Sequence, residues 1–336
     1  MATIKDVARR AGVAISTASA ALNRSAPVSD DVIAKVTEAV RELGYVPHGG
    51  AQSLRSGQSR LIGLIVPNIT NPHFAAVARI IENVCLSAGY LSMVFSTGQD
   101  SEREDQILRL LRQQRVAGLV IIPTRSDSEH GRRLMADIHV PTVLLDMMVE
   151  GLAFDVVKLD NVAATRLATE HLIDLGHRRI AVLTGIPGLI TSTDRLAGYL
   201  EAYGRAGLPV EQRLQLRGDY EQEIAAQSVG EIMRQPDPPT ALVSFSNMMT
   251  LGALHALREL GLDCPQDVSI VGIDDFDFAD LLYPPLTVVR VPLAPMAERS
   301  IGILLEMIGM KRPARGTVEI FQPELIVRQS TKPLAR

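Results

Sequence analysis

From Leu61 onward, short apolar runs alternate with longer amphipathic stretches, and this alternation narrows the fold more than any other feature of the 336 residues. Leu61–Val66, Tyr90–Ser96, Gly118–Pro123 and Val140–Leu145 read as buried strands, with helices over Phe74–Ala88 and Ser101–Gln114. The pattern restarts after "VVKLDN": helix 161–175, strand 179–184, helices 193–206 and 220–234, strand 240–245, helix 247–260, strand 269–273. Strands that alternate with helices pack as parallel sheets with right-handed crossovers. Two such runs predict two similar α/β lobes. Ligands of such sheets bind outside the carboxyl ends of the strands, here in a cleft between lobes.

Candidate cleft residues therefore lie just after strands. His73 and Phe74 follow the first, Asp146 follows "TVLL", and Thr191 and Arg195 follow "IAVLTG". Tyr220, Phe245, Ser246 and Asp274 occupy later strand ends or helix starts. Arg195 and Asp274 suit hydroxyls or a ring nitrogen through charge-assisted hydrogen bonds. Phe74 and Tyr220 suit a flat ring or a sugar face. Each taken alone also reads as a cap or loop residue.

The first sixty residues follow a different pattern. Thr3 caps a helix whose Ile4, Val7, Ala8 and Ala11 share one face, and Gly12 stops it. A second helix runs from about Ile15 to Asn23, "ISTASAALN", with Ala18, Ala21 and Leu22 on one face and Ser16, Ser19, Ala20 and Asn23 on the other. That second face carries no charge and no large group. Ser29 caps a third helix lined by Val32, Val36, Ala39, Val40 and Leu43 and ended by Gly44. Three short helices with a glycine turn between the first two match a helix-turn-helix, whose small second face suits a DNA groove. Serines, Thr17 and Asn23 suit phosphates or base edges. A plain three-helix bundle is the alternative.

Residues 45–60, which with the preceding Gly44 begin "GYVPHGGAQSLRSGQS", have linker composition. Leu54 is the isolated large apolar residue there, either a contact between domains or a wedge in the minor groove. Residues 1–60 hold eight Lys/Arg against five Asp/Glu on a chain of net charge −4, so a mildly basic head sits on an acidic body. That asymmetry suits an anionic partner at one end.

The segments "ATIKDVARRAGVAISTASAALN", "VSDDVIAKVTEAVRELGYVP" and "AQSLRSGQSRLIGLIVPNITNPHF" resemble the lactose/galactose repressor (LacI/GalR) family of bacterial transcription regulators. The likeness continues through "LIDLGHRRIAVLTG", "RLAGY", "ALRELGLDCPQDVSIVGIDD", "PPLTVVR" and "PELIVRQST", covering nearly the whole chain in order. It implies an all-α helix-turn-helix DNA-binding head plus an α/β two-lobed domain like the type I periplasmic binding proteins. The implied domains are a head at 1–46, a hinge at 47–60 and an effector-binding and dimerisation body at 61–336. Within the body, lobe one takes about 61–160 and 291–322, and lobe two about 161–290 and 323–336.

The resemblance also implies residue roles. Ile15, Ser16 and Ala20 face base edges; Thr3, Thr17, Ser19, Asn23 and Tyr45 meet phosphates; Ala51 and Leu54 belong to the DNA-contacting hinge, Leu54 as its wedge. Arg195 and Asp274 match the ligand-gripping pair, and Tyr220 an aromatic platform. This chain departs from the family at "TASAALN", where "TVSRVLN" is usual and Ala20 replaces a base-reading arginine. It departs again at His48-Gly49-Gly50 in the hinge, and at Phe245-Ser246-Asn247, where relatives commonly show "AND".

Other classes fit less well. No G-x-G-x-x-G or G-x-x-x-x-G-K-[ST] follows a strand, and no metal spacing or Ser-His-Asp order stands out, so neither an enzyme nor a bound cofactor is expected. A solute-binding protein would call for a secretory segment, and "MATIKDVARR" has no apolar h-region. Two distant cysteines suit a reducing, cytoplasmic setting. The expectation is a repressor, with an activator or corepressor-dependent regulator as alternative. It would bind a pseudo-palindromic double-stranded DNA operator as a homodimer under control of a small polar effector. No leucine heptad follows "ELIVRQ", so no tetramer-forming coiled coil is expected.

Overall fold

A computed structural model describes residues 2–23, 26–45, 59–276 and 278–334. The chain divides into two compact units, Met1–Ser59 and Arg60–Arg336.

The first unit holds α1 (Ile4–Ala11), α2 (Ile15–Asn23) and α3 (Asp30–Leu43). Asp6 accepts hydrogen bonds from the Thr3 amide at 2.9 Å and the Thr3 hydroxyl at 2.7 Å, which fixes the start of α1. Gly12 ends α1 at φ 67°, and Val13 N–H closes back on the Ala8 carbonyl at 3.0 Å. Val7, Ala8, Ala18, Ala21, Val36 and Ala39 form the buried centre, ringed by half-buried groups that include Ile4, Leu22, Val32 and Tyr45. The small alanines bring the three helices close together.

The second unit contains two six-stranded sheets. In chain order its elements are β1 (Leu61–Val66), α4 (Pro72–Ser87), β2 (Leu91–Ser96), α5 (Ser101–Gln113), β3 (Gly118–Ile121), α6 (Ser128–Asp137), β4 (Thr142–Asp146), β5 (Asp155–Leu159), α7 (Asn161–Asp174), β6 (Ile180–Thr184) and α8 (Ile190–Arg205). There follow β7 (Gln215–Arg217), α9 (Gln222–Ile232), β8 (Ala241–Ser244), α10 (Asn247–Glu259), β9 (Ser269–Ile273), β10 (Thr287–Arg290), α11 (Leu293–Met310), β11 (Val318–Phe321) and β12 (Glu324–Ile326). One sheet has the order β11-β5-β4-β3-β1-β2 and is parallel throughout. The other has the order β12-β10-β9-β8-β6-β7 and is parallel apart from the β10–β12 pair. We call the first sheet with its helices lobe one and the second lobe two.

Both faces of each parallel sheet are covered, which is why its strands read as continuous apolar runs. In lobe one, Ile62, Leu64, Val66, Val120, Val143 and Leu145 point to the side of α4 and α11. Ile65, Leu119, Ile121 and Leu144 point to the side of α5 and α6. Asp155, fully buried at the start of β5, accepts from Thr317 Oγ1 (2.7 Å), Thr317 N (3.0 Å) and Arg315 N (3.1 Å). Those bonds anchor the segment that leads into β11.

Several elements differ from the sequence expectation. The helix expected over 220–234 begins at Gln222, because Asp219 and Tyr220 take φ of 50° and 62° and form a left-handed turn. Pro72 opens α4 two residues before the expected start, a position where its missing N–H costs nothing. The helix expected from 193 starts at Ile190, whose N–H is held by Ser126 Oγ of lobe one at 2.9 Å. Short β7, β10, β11 and β12 carry too few residues for a periodicity, and α11 is apolar around much of its circumference.

Helices α7 and α8 meet so closely that a Cβ on Gly198 would lie 2.2 Å from the Val162 carbonyl oxygen. Gly198→Ala should therefore destabilise the body by about 1–3 kcal/mol. In α11, a Cβ on Gly302 would meet nothing within 4 Å, so Gly302→Ala should stabilise by about 0.5–1 kcal/mol through helix propensity. Urea unfolding of both variants tests the pair; equal effects of one sign would refute the packing argument.

Candidate DNA-reading helix and effector cleft

Helix α2 turns one face to the core and one to solvent. Ala18 is fully buried and Ala21 nearly so, while Ile15 is 41% exposed and Ser16 is exposed. Thr17, Ser19 and Ala20 are half-buried beside them. The outward strip is therefore small and uncharged, with a single large apolar group at its N-terminal end, as a helix entering a groove needs for close approach. Thr3 is exposed with its hydroxyl on Asp6. The Tyr45 ring packs against the head core. Asn23 ends α2, but its side chain, with Ala51 and Leu54, lies outside the described residues.

In the body, three candidates share an uncommon backbone. Asp146, Tyr220 and Asp274 have φ of 72°, 62° and 76°, a left-handed conformation that costs a non-glycine residue energy. Each sits where a strand ends: Asp146 at the last residue of β4, Asp274 directly after β9, Tyr220 in the turn after β7. The strain turns polar side chains into the space at the carboxyl ends of the strands.

Arg195, from the second turn of α8, is 94% buried and donates to Asn161 Oδ1 at 2.7 Å and to the Phe245 carbonyl. Burial opposes its charge, but Tyr220, Asp274 and Asp146 around it outweigh that and raise its pKa. His73, in the first turn of α4, places Nδ1 3.4 Å from Asp274 Oδ1. Burial again disfavours the imidazolium, yet Asp274 and then Asp146 draw the His73 pKa above its usual value. Asp274 is pushed up by burial and pulled down further by His73 and Arg195, so its carboxyl titrates below the ordinary range. The structure thus gathers His73, Asp146, Arg195, Tyr220 and Asp274 into one electrostatic group drawn from both lobes.

Thr191 joins this group through the Tyr220 hydroxyl at 3.3 Å, and Ser192 meets the same hydroxyl at 3.0 Å. A Cβ on Gly185 would lie 2.2 Å from Tyr220 Cζ, so glycine there makes room for the ring. Phe74 is half-buried and its ring meets His73 edge-on at 5.1 Å. Phe245 and Ser246 are placed differently from the other candidates. The Phe245 ring is fully buried in the core and offers only its carbonyl, and Ser246 caps α10 by accepting from Met249 N at 3.3 Å.

Sequence reasoning missed the asparagines that organise the cleft. Asn161 orients Arg195. Asn71 caps α4 through His73 N at 3.0 Å and accepts from Asn247 Nδ2, in the other lobe, at 2.9 Å. Each lies at a helix start after a strand, which is the signal that would have found them.

A three-helix head with an uncharged second helix, followed by two parallel α/β lobes with buried charges at their strand ends, defines an effector-controlled DNA-binding regulator. Residues 3–48 match the model of bacterial regulatory proteins, lacI family, and residues 169–331 match that of a periplasmic binding protein-like domain. The chain is 33% identical to the HTH-type transcriptional repressor PurR of Photobacterium profundum over 334 residues, 99% of this chain and 100% of that protein. It is 34% identical to the ribose operon repressor of Escherichia coli K12 over 308 residues, 92% of this chain and 93% of that protein. It superposes on the Lac repressor dimer bound to operator and the anti-inducer ONPF with a TM-score of 0.88 at 28% identity, covering 98% of this chain and 99% of that one. The chain belongs to the lacI family of bacterial regulatory proteins. It is a DNA-binding transcription repressor and not an enzyme. No helix among the described residues is long and apolar enough to cross a membrane.

Proposed function

We propose that this repressor binds a pseudo-palindromic operator as a homodimer in the cytoplasm and is controlled by a small polar effector, a sugar or similar metabolite, held between its lobes. The head is residues 1–46, the hinge 47–60 and the body 61–336, with lobe one at about 61–160 and 291–322 and lobe two at about 161–290 and 323–336. The observation that carries the effector reading is the group formed by buried Arg195 and Asp274 with half-buried His73 and Asp146. Two cations facing two carboxylates bind hydroxyls by charge-assisted bonds on both sides of a ligand. Phe74 and Tyr220 supply apolar surface, and Thr191 a further hydroxyl.

On DNA, Ile15, Ser16 and Ala20 face base edges. Thr3, Thr17, Ser19, Asn23 and Tyr45 meet phosphates, and Ala51 and Leu54 act from the hinge, Leu54 as a minor-groove wedge. A PurR-like or ribose-repressor-like role is supported by the full-length likeness to both. Screening sugars and nucleobases for those that alter operator affinity tests the assignment; a body that binds none of them refutes it.

Ala20 offers only apolar contact, for instance with a thymine methyl, where an arginine would grip guanine through two hydrogen bonds. Ala20→Arg is expected to change the preferred base at one position of each half-site to guanine, by about 1–3 kcal/mol. Selection from randomised duplexes at fixed salt reads this directly. An identical preferred site for parent and variant would place Ala20 away from the bases.

A further inference from the structure

We propose that the first turn of α4 carries a proton-dependent tie between the lobes, in which His73 of lobe one holds Asp274 of lobe two while its imidazole is charged and releases it when neutral.

One helical turn meets the opposite lobe twice. Asn71 Oδ1 takes the Asn247 side-chain amide at 2.9 Å, and His73 Nδ1 stands 3.4 Å from Asp274 Oδ1. The Asn71–Asn247 bond is neutral and indifferent to pH. The His73–Asp274 contact is not, because both side chains are secluded, at 12% and 8% exposure. Asp274 Oδ1 is buried without a closer hydrogen bond, so the charges of His73 and then Arg195, helped by the Asn247 backbone N–H, offset the desolvation of the carboxylate. Removing one charge of a buried pair leaves the other uncompensated.

The groups facing His73 set the direction. Asp274 beyond β9 and Asp146 at the end of β4 favour the cation, and Arg195 on α8 opposes it. Burial lowers the His73 pKa, the carboxylates raise it more, and the balance lies above 6.5. The tie is therefore complete below 6.5 and lost as pH rises through the raised value. Once His73 is neutral, Arg195 and the Asn247 N–H, both of lobe two, are left to Asp274, and opening the cleft lets water solvate the carboxylate.

The tie uses residues assigned above to the effector cleft, yet its test contains no ligand and so succeeds or fails separately from that assignment. Full-length protein is labelled with donor and acceptor dyes through unnatural amino acids at Asn83 on α4 and Arg258 on α10, both exposed. Labelled chains are diluted in unlabelled protein so that only transfer within one chain is read. Histidine-selective NMR follows the His73 ring in the same pH series. The dye separation should lengthen as pH rises, with the same midpoint as the His73 titration. His73→Gln should be flat across the series. Asp274→Asn, which keeps the side-chain shape, should remove the step and lower the His73 midpoint. A separation that stays constant while His73 titrates, a step that persists in His73→Gln, or an unmoved His73 midpoint in Asp274→Asn overturns the proposal.

Discussion

Asp274→Ala is expected to abolish the response to the effector while leaving operator binding intact. Asp274 is 94% buried as a residue, strained at φ 76°, and its carboxylate is faced by His73 and Arg195. A hydrogen bond to a charged group contributes about 1.5–3 kcal/mol, so losing two of them weakens ligand binding by about 10²-fold or more. The variant also loses stability, because His73 keeps only the half-buried Asp146 as a counter-charge and Arg195 only Asp146 and Asp194. Breaking a buried pair costs about 3–5 kcal/mol when a partner is stranded; here Asp146 keeps the loss to the lower part of that range. The loss depends on pH with a definite sign. The lowered Asp274 pKa gives stability that is present above the unfolded carboxylate range and lost as pH falls through the folded value. The raised His73 pKa gives stability present at acid pH and lost as pH rises. The gap between parent and variant should therefore be widest between the two titrations. Anisotropy with labelled operator, a metabolite active on the parent, and denaturant unfolding across pH measure all three effects. A variant that responds to that metabolite like the parent would move the site elsewhere.

How far the site was legible follows from which residues signal through the chain and which through contacts. Asp146, Arg195, Tyr220 and Asp274 were found because they follow apolar strands, and strand ends are where parallel sheets place their ligands. The left-handed backbones of Asp146, Tyr220 and Asp274 left no trace in the sequence: a non-glycine residue at positive φ looks like any other until neighbours hold it there. Tyr220 shows the consequence, since the expected helix began at it and the observed one begins at Gln222. Phe245 shows the reverse. Strand-end position placed it in the cleft, but its ring turns back into the core and only its carbonyl meets Arg195. The link between Asn71 and Asn247 spans 176 positions and follows from no local pattern. The head was legible almost helix by helix because caps, glycine stops and a 3.6 period all lie within a few residues.

Removing the exposed apolar side chains beyond β9 is expected to yield monomers and cost most of the operator affinity. Leu281 is 80% exposed, Tyr283 99% and Phe278 40%, all within six positions of one another. Large apolar groups held in water at such density mark a surface that another chain covers. Lobe one carries its own exposed groups, Leu86 at 52% and Leu91 at 58%, the latter on the edge strand β2. A two-fold dimer buries the same surface on both chains, so one substitution acts twice. Leu281→Asp combined with Tyr283→Asp introduces two charges per chain and four per interface. The folded body should persist, because neither side chain belongs to a buried cluster. A dimer engages its second half-site intramolecularly, which strengthens binding by about 10²–10⁴ over one head alone. The double variant should lose a factor in that range at matched salt, since phosphate contacts make any comparison across salt concentrations meaningless. Its affinity for an isolated half-site should equal that of the parent. Sedimentation reports the assembly and anisotropy the affinity. A variant that still sediments as the parent does and grips the full operator as tightly would place the dimer contact elsewhere on the body.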